Sequence, residues 1–142
     1  MPEIRQVNAI APKTAALLHW LQLEILPADE PAPTSLGWWW VASEGGNPVG
    51  FAGLWPSSRW SDAGYLSRSG VLPSARGRGL QKRLIRVREK KARELGWRWL
   101  ITDTYRNPPS ANSLIACGFR MFHPSKPWAA DGACYWRKQI SE

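Results

Sequence analysis

Val71-Leu72-Pro73-Ser74-Ala75-Arg76-Gly77-Arg78-Gly79-Leu80-Gln81-Lys82-Arg83-Leu84 is the segment around which the rest of the chain can be arranged. An apolar run enters it, Pro73 stops the extended structure, and a basic turn containing Gly77 and Gly79 leads into a helical pattern. Because glycine has no side chain, successive backbone N–H groups of this turn can face one concavity. The first helical turn adds unpaired N–H groups and about half a positive charge. The segment therefore predicts an anion site suited to a phosphate or diphosphate.

The segment resembles one known phosphate-binding motif and differs from two others. It contains neither the GxxxxGK[ST] of a P-loop nor a GxGxxG followed by an acidic residue about 20 positions later. It resembles motif A of the GNAT (GCN5-related) N-acetyltransferases, in which a strand ending V-x-P precedes [RQ]-x-x-G-x-[GA]. The run from Arg76 to Leu80 fits this motif, whereas Gln81 stands where the family usually has Gly or Ala.

The resemblance implies a cofactor and a set of residues that hold it. Family members bind the pyrophosphate of acetyl-CoA with the amides of this loop and free a backbone N–H of the preceding strand for the developing oxyanion. We expect a local strand irregularity at Gly70, although glycine there would equally suit close packing. The residues implied to contact the cofactor are Ser69, Gly70, Val71, Arg76, Gly77, Arg78, Gly79, Leu80, Gln81, Lys82 and, from the second motif below, Asn107.

Hydrophobic periodicity predicts an α/β (α+β) chain with strands before and after the loop. We predict strands at 3–7, 38–42, 49–55, 64–72, 97–104 and 133–140, a further strand that begins at Phe119, and helices at 14–25, 79–95 and about 107–118. The order is an antiparallel meander followed by one βαβ unit, which requires a parallel strand pair. This is the order of the GNAT fold, a mixed, mostly antiparallel sheet with helices on both faces. The adjacent Trp38 and Trp39 must point to opposite faces.

A second stretch, Asn107 to Phe119, resembles motif B of the same family, N-x-x-[AS]-x(7)-G-F. Asn107, Ser110, Gly118 and Phe119 are in register with it. Asn107 is a suitable helix cap, and Gly118 suits the end of a short helix. In many family members this Asn contacts the pantetheine or phosphate arm of CoA, which the resemblance extends to Asn107.

The groups that would move protons differ from those of many family members. Leu114 stands seven positions after the motif B Asn, where a Tyr often serves as the acid, and Thr102 stands five positions before it, where some members have Glu. Neither side chain is an acid or base at neutral pH. The nearest ionisable groups are Asp103 and Tyr105, and we take Tyr105 as the candidate catalytic residue. Positioning alone, or an acceptor amine of low pKa, would reduce the need for a base.

Composition limits the compartment and the partners. The 142 residues suit one domain, 1–142, with a net charge of +8, and nine of the 19 Lys and Arg lie between Arg76 and Arg93. We expect Arg86, Arg88, Lys90, Lys91 and Arg93 to form a solvated helix face. Two cysteines and two isolated histidines indicate neither a disulfide framework nor a metal site. No signal peptide or membrane span is apparent, so a cytoplasmic protein without membrane partners is expected.

Three functions remain open at this point. The first is an acetyl-CoA-dependent N-acetyltransferase acting on a small-molecule, aminoacyl or peptide amine, with a tRNA-linked amine suited to the basic helix. The second is a basic, Trp-rich nucleic-acid-binding module, since the chain has ten Trp. The third is a GNAT relic that binds CoA without transfer. Asp29 and Glu30 lie in the segment that often borders the acceptor site in the family, and we favour ordinary loop acids over substrate contacts for both. An exposed Trp on an edge strand would allow a homodimer.

Overall fold

The computed structural model describes residues 1–141, and within them it contains seven strands and three α-helices. The strands are β1 (Glu3–Val7), β2 (Trp38–Glu44), β3 (Asn47–Pro56), β4 (Ala63–Val71), β5 (Trp99–Thr104), β6 (Arg120–Phe122) and β7 (Cys134–Gln139). The helices are α1 (Pro12–Ile25), α2 (Leu80–Glu94) and α3 (Pro108–Ala116), and a 3₁₀ turn spans Pro73–Ala75. None of these helices is long and apolar enough to cross a bilayer.

The strands form one mixed sheet in the order β1-β2-β3-β4-β5-β7-β6. Of the pairs described, β4 with β5 is parallel and the others are antiparallel, as the predicted meander and βαβ unit require. β5 begins at Trp99, two residues later than predicted. The reason is that the amide of Trp97 still bonds to the carbonyl of Ala92, closing the end of α2 around Gly96 at a φ of +77°.

Both faces of the sheet are covered by helices, and the tryptophans of β2 divide between them. Trp39 is fully buried in a cluster with Leu18 and Leu21 of α1, whereas its neighbour Trp40 packs in the cluster that contains Ile85 of α2. Adjacent strand residues point to opposite faces, so α1 lies on one face and α2 with α3 on the other. The prediction that the tryptophans serve two faces is confirmed.

The centre of the sheet opens because β4 and β5 pair over three residues only. Their register runs from Ala63 opposite Trp99 to Tyr65 opposite Ile101, after which the two strands separate. On its other side, β4 carries a bulge, since Ala52 pairs with Ser69 and Leu54 with Leu66. Two residues of β4, Ser67 and Arg68, therefore stand opposite one residue of β3.

The irregularity expected at Gly70 lies two to three residues earlier. Gly70 pairs in register with Phe51, and its packing explains the glycine. A Cβ at this position would come within 2.3 Å of Cγ2 of Ile25 in α1. Gly70 thus lets α1 approach β4 closely, which was the alternative that the sequence left open.

Two expectations about the surface are wrong. Arg88 is 1% exposed, because its position on α2 faces β3 and not solvent. The edge strands of the described sheet are β1 and β6, and neither contains a tryptophan. The Trp-containing strand β2 is paired on both sides, so the proposed dimer edge is not present there.

Candidate active site

The turn after β4 presents unpaired backbone amides at the start of α2. Gly77 and Gly79 have φ values of +80° and +78°, a region that favours glycine. Gly79 is the N-cap of α2 and offers no side chain to the helix. The first helical hydrogen bond runs from the amide of Arg83 to the carbonyl of Gly79, which leaves the amides of residues 80–82 without a helical acceptor. This arrangement is an anion site of the predicted kind.

The two arginines of the turn are held in different ways. Nε of Arg76 donates to the carbonyl of Val71 at 3.0 Å, so its side chain folds back on β4. The Arg78 guanidinium donates to both carboxylate oxygens of Glu44, at 2.8 and 2.9 Å, and lowers the pKa of that carboxyl. Arg78 is therefore directed away from the concave side of the turn, where Lys82 remains as a cation.

A cleft of about 700 Å³ lies along this turn and the free edge of β4. It is lined by ten of the eleven residues that the resemblance implied for the cofactor, with Arg78 as the exception. The ten are Ser69, Gly70, Val71, Arg76, Gly77, Gly79, Leu80, Gln81, Lys82 and Asn107. Asn107 also caps α3, since its side chain accepts from the amide of Ser110 at 3.2 Å. A cap at this position brings the start of α3 to the cleft.

A second cavity of about 450 Å³ occupies the gap between the separated ends of β4 and β5. It shares Leu26, Ser69, Gln81, Asn107 and Ser110 with the first cleft, so the two cavities adjoin. Nε2 of Gln81 donates to Oγ of Ser69 at 3.3 Å across this junction. The residue that departs from motif A therefore joins α2 to β4 at the point where the two cavities meet.

An aspartate without a cationic partner lies in the second cavity. Oδ2 of Asp103 accepts from the Tyr65 hydroxyl at 2.7 Å and from Nε1 of Trp128 at 2.9 Å. Within residues 1–141 no cation lies within salt-bridge distance of it. The other carboxylate that lines this cavity, Asp29, is paired with Arg68 at 3.2 Å. Of the two carboxylates that line this cavity, Asp103 is thus the one that forms no salt bridge among the described residues.

The two tyrosines near Asp103 differ in environment. Burial and the neighbouring Asp103 raise the pKa of Tyr65, so its phenol stays a neutral hydrogen-bond donor. Tyr105, the candidate from sequence, lines the same cavity with 47% of its surface exposed and its ring under the Arg106 guanidinium at 5.1 Å. Sequence reasoning missed Tyr65 and Trp128, which are 38 and 25 residues from Asp103 in the chain. No local spacing could have indicated them.

Three buried side chains, those of Arg88, Thr102 and Leu114, also line this cavity. Nη1 of Arg88 donates to the carbonyl of Gly53, opposite the bulge, and Nε donates to the carbonyl of Leu84. Burial lowers the pKa of Arg88 to about 9, and the guanidinium stays charged at neutral pH. Oγ1 of Thr102 donates to the carbonyl of Leu66, and Leu114 is 4% exposed. These side chains shape the gap and do not offer an acid or base.

Comparison with known proteins identifies the family. The sequence matches the family model described as "Acetyltransferase (GNAT) family" over residues 11–119, which includes both motifs, the two cavities' β4 wall and Asp103. The chain belongs to the GNAT acetyltransferase family. This GNAT chain is an acyltransferase whose acetyl donor is acetyl-CoA. No curated protein matches the chain.

Solved structures agree with the fold of this GNAT chain. A GNAT-family acetyltransferase from Desulfovibrio desulfuricans is similar with a TM-score of 0.79 at 17% identity, with 99% of this chain and 100% of that chain covered. A Bacillus subtilis acetyltransferase in complex with CoA has a TM-score of 0.77 at 17% identity, covering 98% and 99%. The Escherichia coli ribosomal-protein-S18-alanine N-acetyltransferase has a TM-score of 0.76 at 15% identity, covering 100% and 96%. At these identities the likeness shows the fold alone.

The residues of this GNAT chain fit an acyl-CoA. Built Cβ atoms at Gly77 and Gly79 would meet no protein atom within 4 Å, so packing does not require glycine there and the concave side is open. The unpaired amides and Lys82 would suit a diphosphate, and the adjoining cavity of about 450 Å³ leaves room for the rest of the molecule.

Proposed function

We propose that the chain transfers the acetyl group of acetyl-CoA to the nitrogen of an amine, with Asp103 as the group that accepts the amine proton. The observation that carries this proposal is that the two cavities adjoin and share wall residues. One is lined by the amides of the glycine turn, and the other contains a carboxylate without a cation. A cofactor held at the first and an amine held at the second would meet in the gap between β4 and β5.

The loop residues, the β4 edge and Asn107 would hold the cofactor. Amides 80–82 and Lys82 provide the charge that a diphosphate needs. Beyond Tyr65, the edge of β4 that faces β5 is free of strand pairing, which leaves main-chain groups for the arm of the cofactor. Acetyl-CoA, when bound, supplies an activated thioester carbonyl, at which a C–N bond forms as the C–S bond breaks.

Asp103 is placed to handle the proton that the amine loses. Its two hydrogen bonds both end on Oδ2, and no described side chain donates to Oδ1. Oδ1 is therefore the oxygen that would bind an ammonium group and take its proton. Tyr65 and Trp128 fix the orientation of the carboxylate without neutralising its charge. Tyr105, which lines the same cavity, is the candidate for returning a proton to the leaving sulfur.

The strength of this base favours a particular class of amine. A carboxylate is a weak base for an alkyl ammonium group with a pKa near ~10.4, whereas an α-amino group has a pKa of about 7.7–8.0. An α-amine is partly neutral at working pH and places a smaller demand on Asp103. We therefore propose an aminoacyl or peptide α-amine as the acceptor, within which a tRNA-linked amine is included.

Release of free thiol from acetyl-CoA in the presence of an amine panel tests this function. The panel contains amino acid amides, short peptides and alkyl amines, and mass spectrometry identifies the acetylated nitrogen. We expect transfer to α-amines with rates that increase with pH as the amine loses its proton. CoA binding without transfer to any amine would support the relic instead, and absence of CoA binding would contradict both.

A further inference from the structure

A third cavity is lined by Trp128, whose indole N–H donates to Asp103 of the proposed acceptor site. It has a volume of about 510 Å³ and lies between the turn after β3 and the loop after β6. We call it the basic-aromatic cavity and define it by Arg59, Trp60, Phe122, Lys126, Trp128 and Arg137. No acidic side chain lines it, and His123 is the remaining titratable group on its wall.

Two of the three cations of the basic-aromatic cavity lie over aromatic rings, and none of the three has an acidic partner among the described residues. Within residues 1–141, Arg59, Lys126 and Arg137 form no salt bridge. The Arg137 guanidinium lies 4.8 Å from the ring centre of Phe122, 5.4 Å from that of Trp99 and 6.0 Å from that of Trp60. Arg59 lies 5.9 Å from the ring centre of Trp128. A guanidinium fixed over a ring keeps its in-plane N–H groups for an anion.

Trp128 connects this cavity to the proposed base. Its Nε1 donates to Asp103 at 2.9 Å, and its ring carries Arg59. Given the size of an indole ring, the Arg59 guanidinium and the Asp103 carboxylate are at most about 11 Å apart. An extended peptide advances ~3.3 Å per residue, so about three residues or fewer suffice to span that distance.

We propose that the basic-aromatic cavity binds acidic side chains of a peptide acceptor whose N-terminal amine lies at Asp103. This inference rests on the proposed function and names its substrate class. The amine would contact Oδ1 of Asp103, and carboxylates at the third and fourth positions of the peptide would contact Arg59, Lys126 and Arg137. The overall charge of +8 attracts such a peptide at long range.

A peptide fits this cavity better than a nucleic acid strand does. Binding of single strands uses open ring faces on which bases stack. Here the faces of Phe122, Trp60 and Trp128 carry guanidinium groups, and none of the three rings is among the exposed large side chains. The cavity therefore offers separate cations for carboxylates and lacks a stacking platform.

Binding and transfer measured with two matched peptides test the proposal. The peptides are Ala-Ala-Glu-Glu-Ala and Ala-Ala-Gln-Gln-Ala, each with a fluorophore at the C-terminus, and the protein is saturated with CoA for anisotropy. We expect the acidic peptide to bind at least fivefold more tightly at low salt, and the difference to shrink at 0.5 M NaCl. With acetyl-CoA, the KM for the acidic peptide should be lower by a similar factor. Equal affinities for the two peptides would overturn the proposal.

The double substitution R59Q/K126Q assigns the effect to this cavity. Both side chains are exposed, so the fold should tolerate the change. We expect the advantage of the acidic peptide to fall to less than twofold, with CoA affinity and the neutral peptide unaffected. Lys90→Gln, an exposed cation on α2 outside the cavity, is the matched control. An unchanged preference in R59Q/K126Q overturns the proposal.

Two further measurements distinguish acidic-peptide binding from RNA binding and separate this inference from the proposed function. A single-stranded RNA oligomer that displaces the acidic peptide at a lower concentration than a polyglutamate of equal charge would overturn the peptide assignment. If neither peptide is acetylated while the acidic one still binds through Arg59 and Lys126, the proposed function fails and the binding site stands. The anisotropy measurement thus decides the inference independently of catalysis.

Discussion

Glycine at two positions of the turn after β4 is required by the backbone and not by packing. Gly77 and Gly79 both have positive φ, and the space beside each is open. A side chain at either position would project from a strained backbone beside the amides that are proposed to face a diphosphate. These are therefore the residues at which the cofactor assignment is tested most directly.

We expect Gly79→Glu to abolish the thermal stabilisation that CoA gives the protein. The new carboxylate would lie beside the amides of residues 80–82 and repel the diphosphate. For the unaltered protein, CoA at about 100 times its Kd should add about 2.7 kcal/mol of stability, or a rise in Tm of roughly 5–10 °C. Differential scanning fluorimetry with and without CoA measures both.

Gly46→Glu is the matched control for backbone strain. Gly46 at the β2–β3 hairpin has a φ of +82° and open space, like Gly79, but does not line the cleft. It should lose stability without losing the response to CoA. Retained CoA affinity in Gly79→Glu would contradict the assignment of the loop.

Asp103→Asn separates the charge of this residue from its hydrogen bonds. The amide oxygen of Asn can still accept from Tyr65 and Trp128, so the fold and CoA binding should be preserved. We expect kcat/KM for amine acceptors to fall by about 10²-fold or more, the usual size of a general-base effect. Thiol-release kinetics and a CoA titration of the same preparation measure the two properties.

Tyr105→Phe tests the residue proposed from sequence in the same assay. A role in protonating the sulfur predicts slower turnover with an unchanged KM for the acceptor. Equal turnover in Tyr105→Phe and the unaltered protein would remove this tyrosine from the mechanism. Equal turnover in Asp103→Asn would remove the proposed base.

At the scale of elements, Glu89 joins α2 to Lys138 of β7, and Lys138 in turn contacts the end of α3. Oε1 of Glu89 accepts from Nζ of Lys138 at 2.6 Å, and Oε2 accepts from the Arg93 guanidinium at 2.9 Å. Lys138 also donates to the carbonyl of Cys117 at 2.8 Å. Burial of Glu89 raises its pKa, but the Lys138 and Arg93 donors outweigh burial and leave the pKa below its usual value.

We expect Glu89→Gln to destabilise the protein near neutral pH and to weaken its acid sensitivity. A carboxyl with a lowered pKa in the folded state stabilises above its unfolded pKa of about 4.5, and that contribution disappears as pH falls through the folded value. The free energy of unfolding at pH 7 should fall by about 1–3 kcal/mol. Urea denaturation between pH 3 and 7 measures the difference between the two proteins, which should vanish at the acid end.

Glu44→Gln is the comparison for this carboxylate. Glu44 also has a lowered pKa, set by Arg78, but this ion pair is at the surface. Exposed ion pairs contribute little, so Glu44→Gln should change stability by much less. An equal loss in free energy of unfolding from both substitutions would show that the Glu89 contacts stabilise the protein no more than an exposed ion pair does.

Much of the element order was predictable because each element has its own local signal. The glycine turn, the Asn107 cap and the helix end at Gly96 depend on residues a few positions apart, and the structure has all three. Ten of the eleven residues implied for the cofactor line one cleft. Arg78 differs because its partner, Glu44, is 34 residues away.

Features that depend on distant parts of the chain were not predictable from pattern. Arg88 looks like part of a solvated basic face, yet the bulge in β4 leaves a carbonyl of Gly53 that this guanidinium reaches. The environment of Asp103 similarly depends on Tyr65 and Trp128, which come from β4 and the loop before β7. A buried charge or a three-residue cluster of this kind becomes visible only when the sheet order is known.

At the scale of the whole molecule, the parting of β4 from β5 divides the sheet into two blocks. Strands β1 to β4 form one block, and β5, β7 and β6 form the other, with three residue pairs between them. The blocks are also connected by the hydrogen bonds from Tyr65 to Asp103 and from Thr102 to Leu66, and by the contacts of α2 with α3 and with Lys138 of β7. A cofactor bound in the gap would contact both blocks and would connect them in the middle of the sheet.

This division implies that the two blocks need not unfold together when no cofactor is bound. Without CoA, amide hydrogen exchange should give one free energy of opening for the β5–β7–β6 amides and a different one for the β2–β3 amides. With CoA bound, the two free energies of opening should converge, because opening of either block would then also cost the binding free energy of CoA. The bound cofactor would in this way stabilise the folded protein as well as supply the acetyl group.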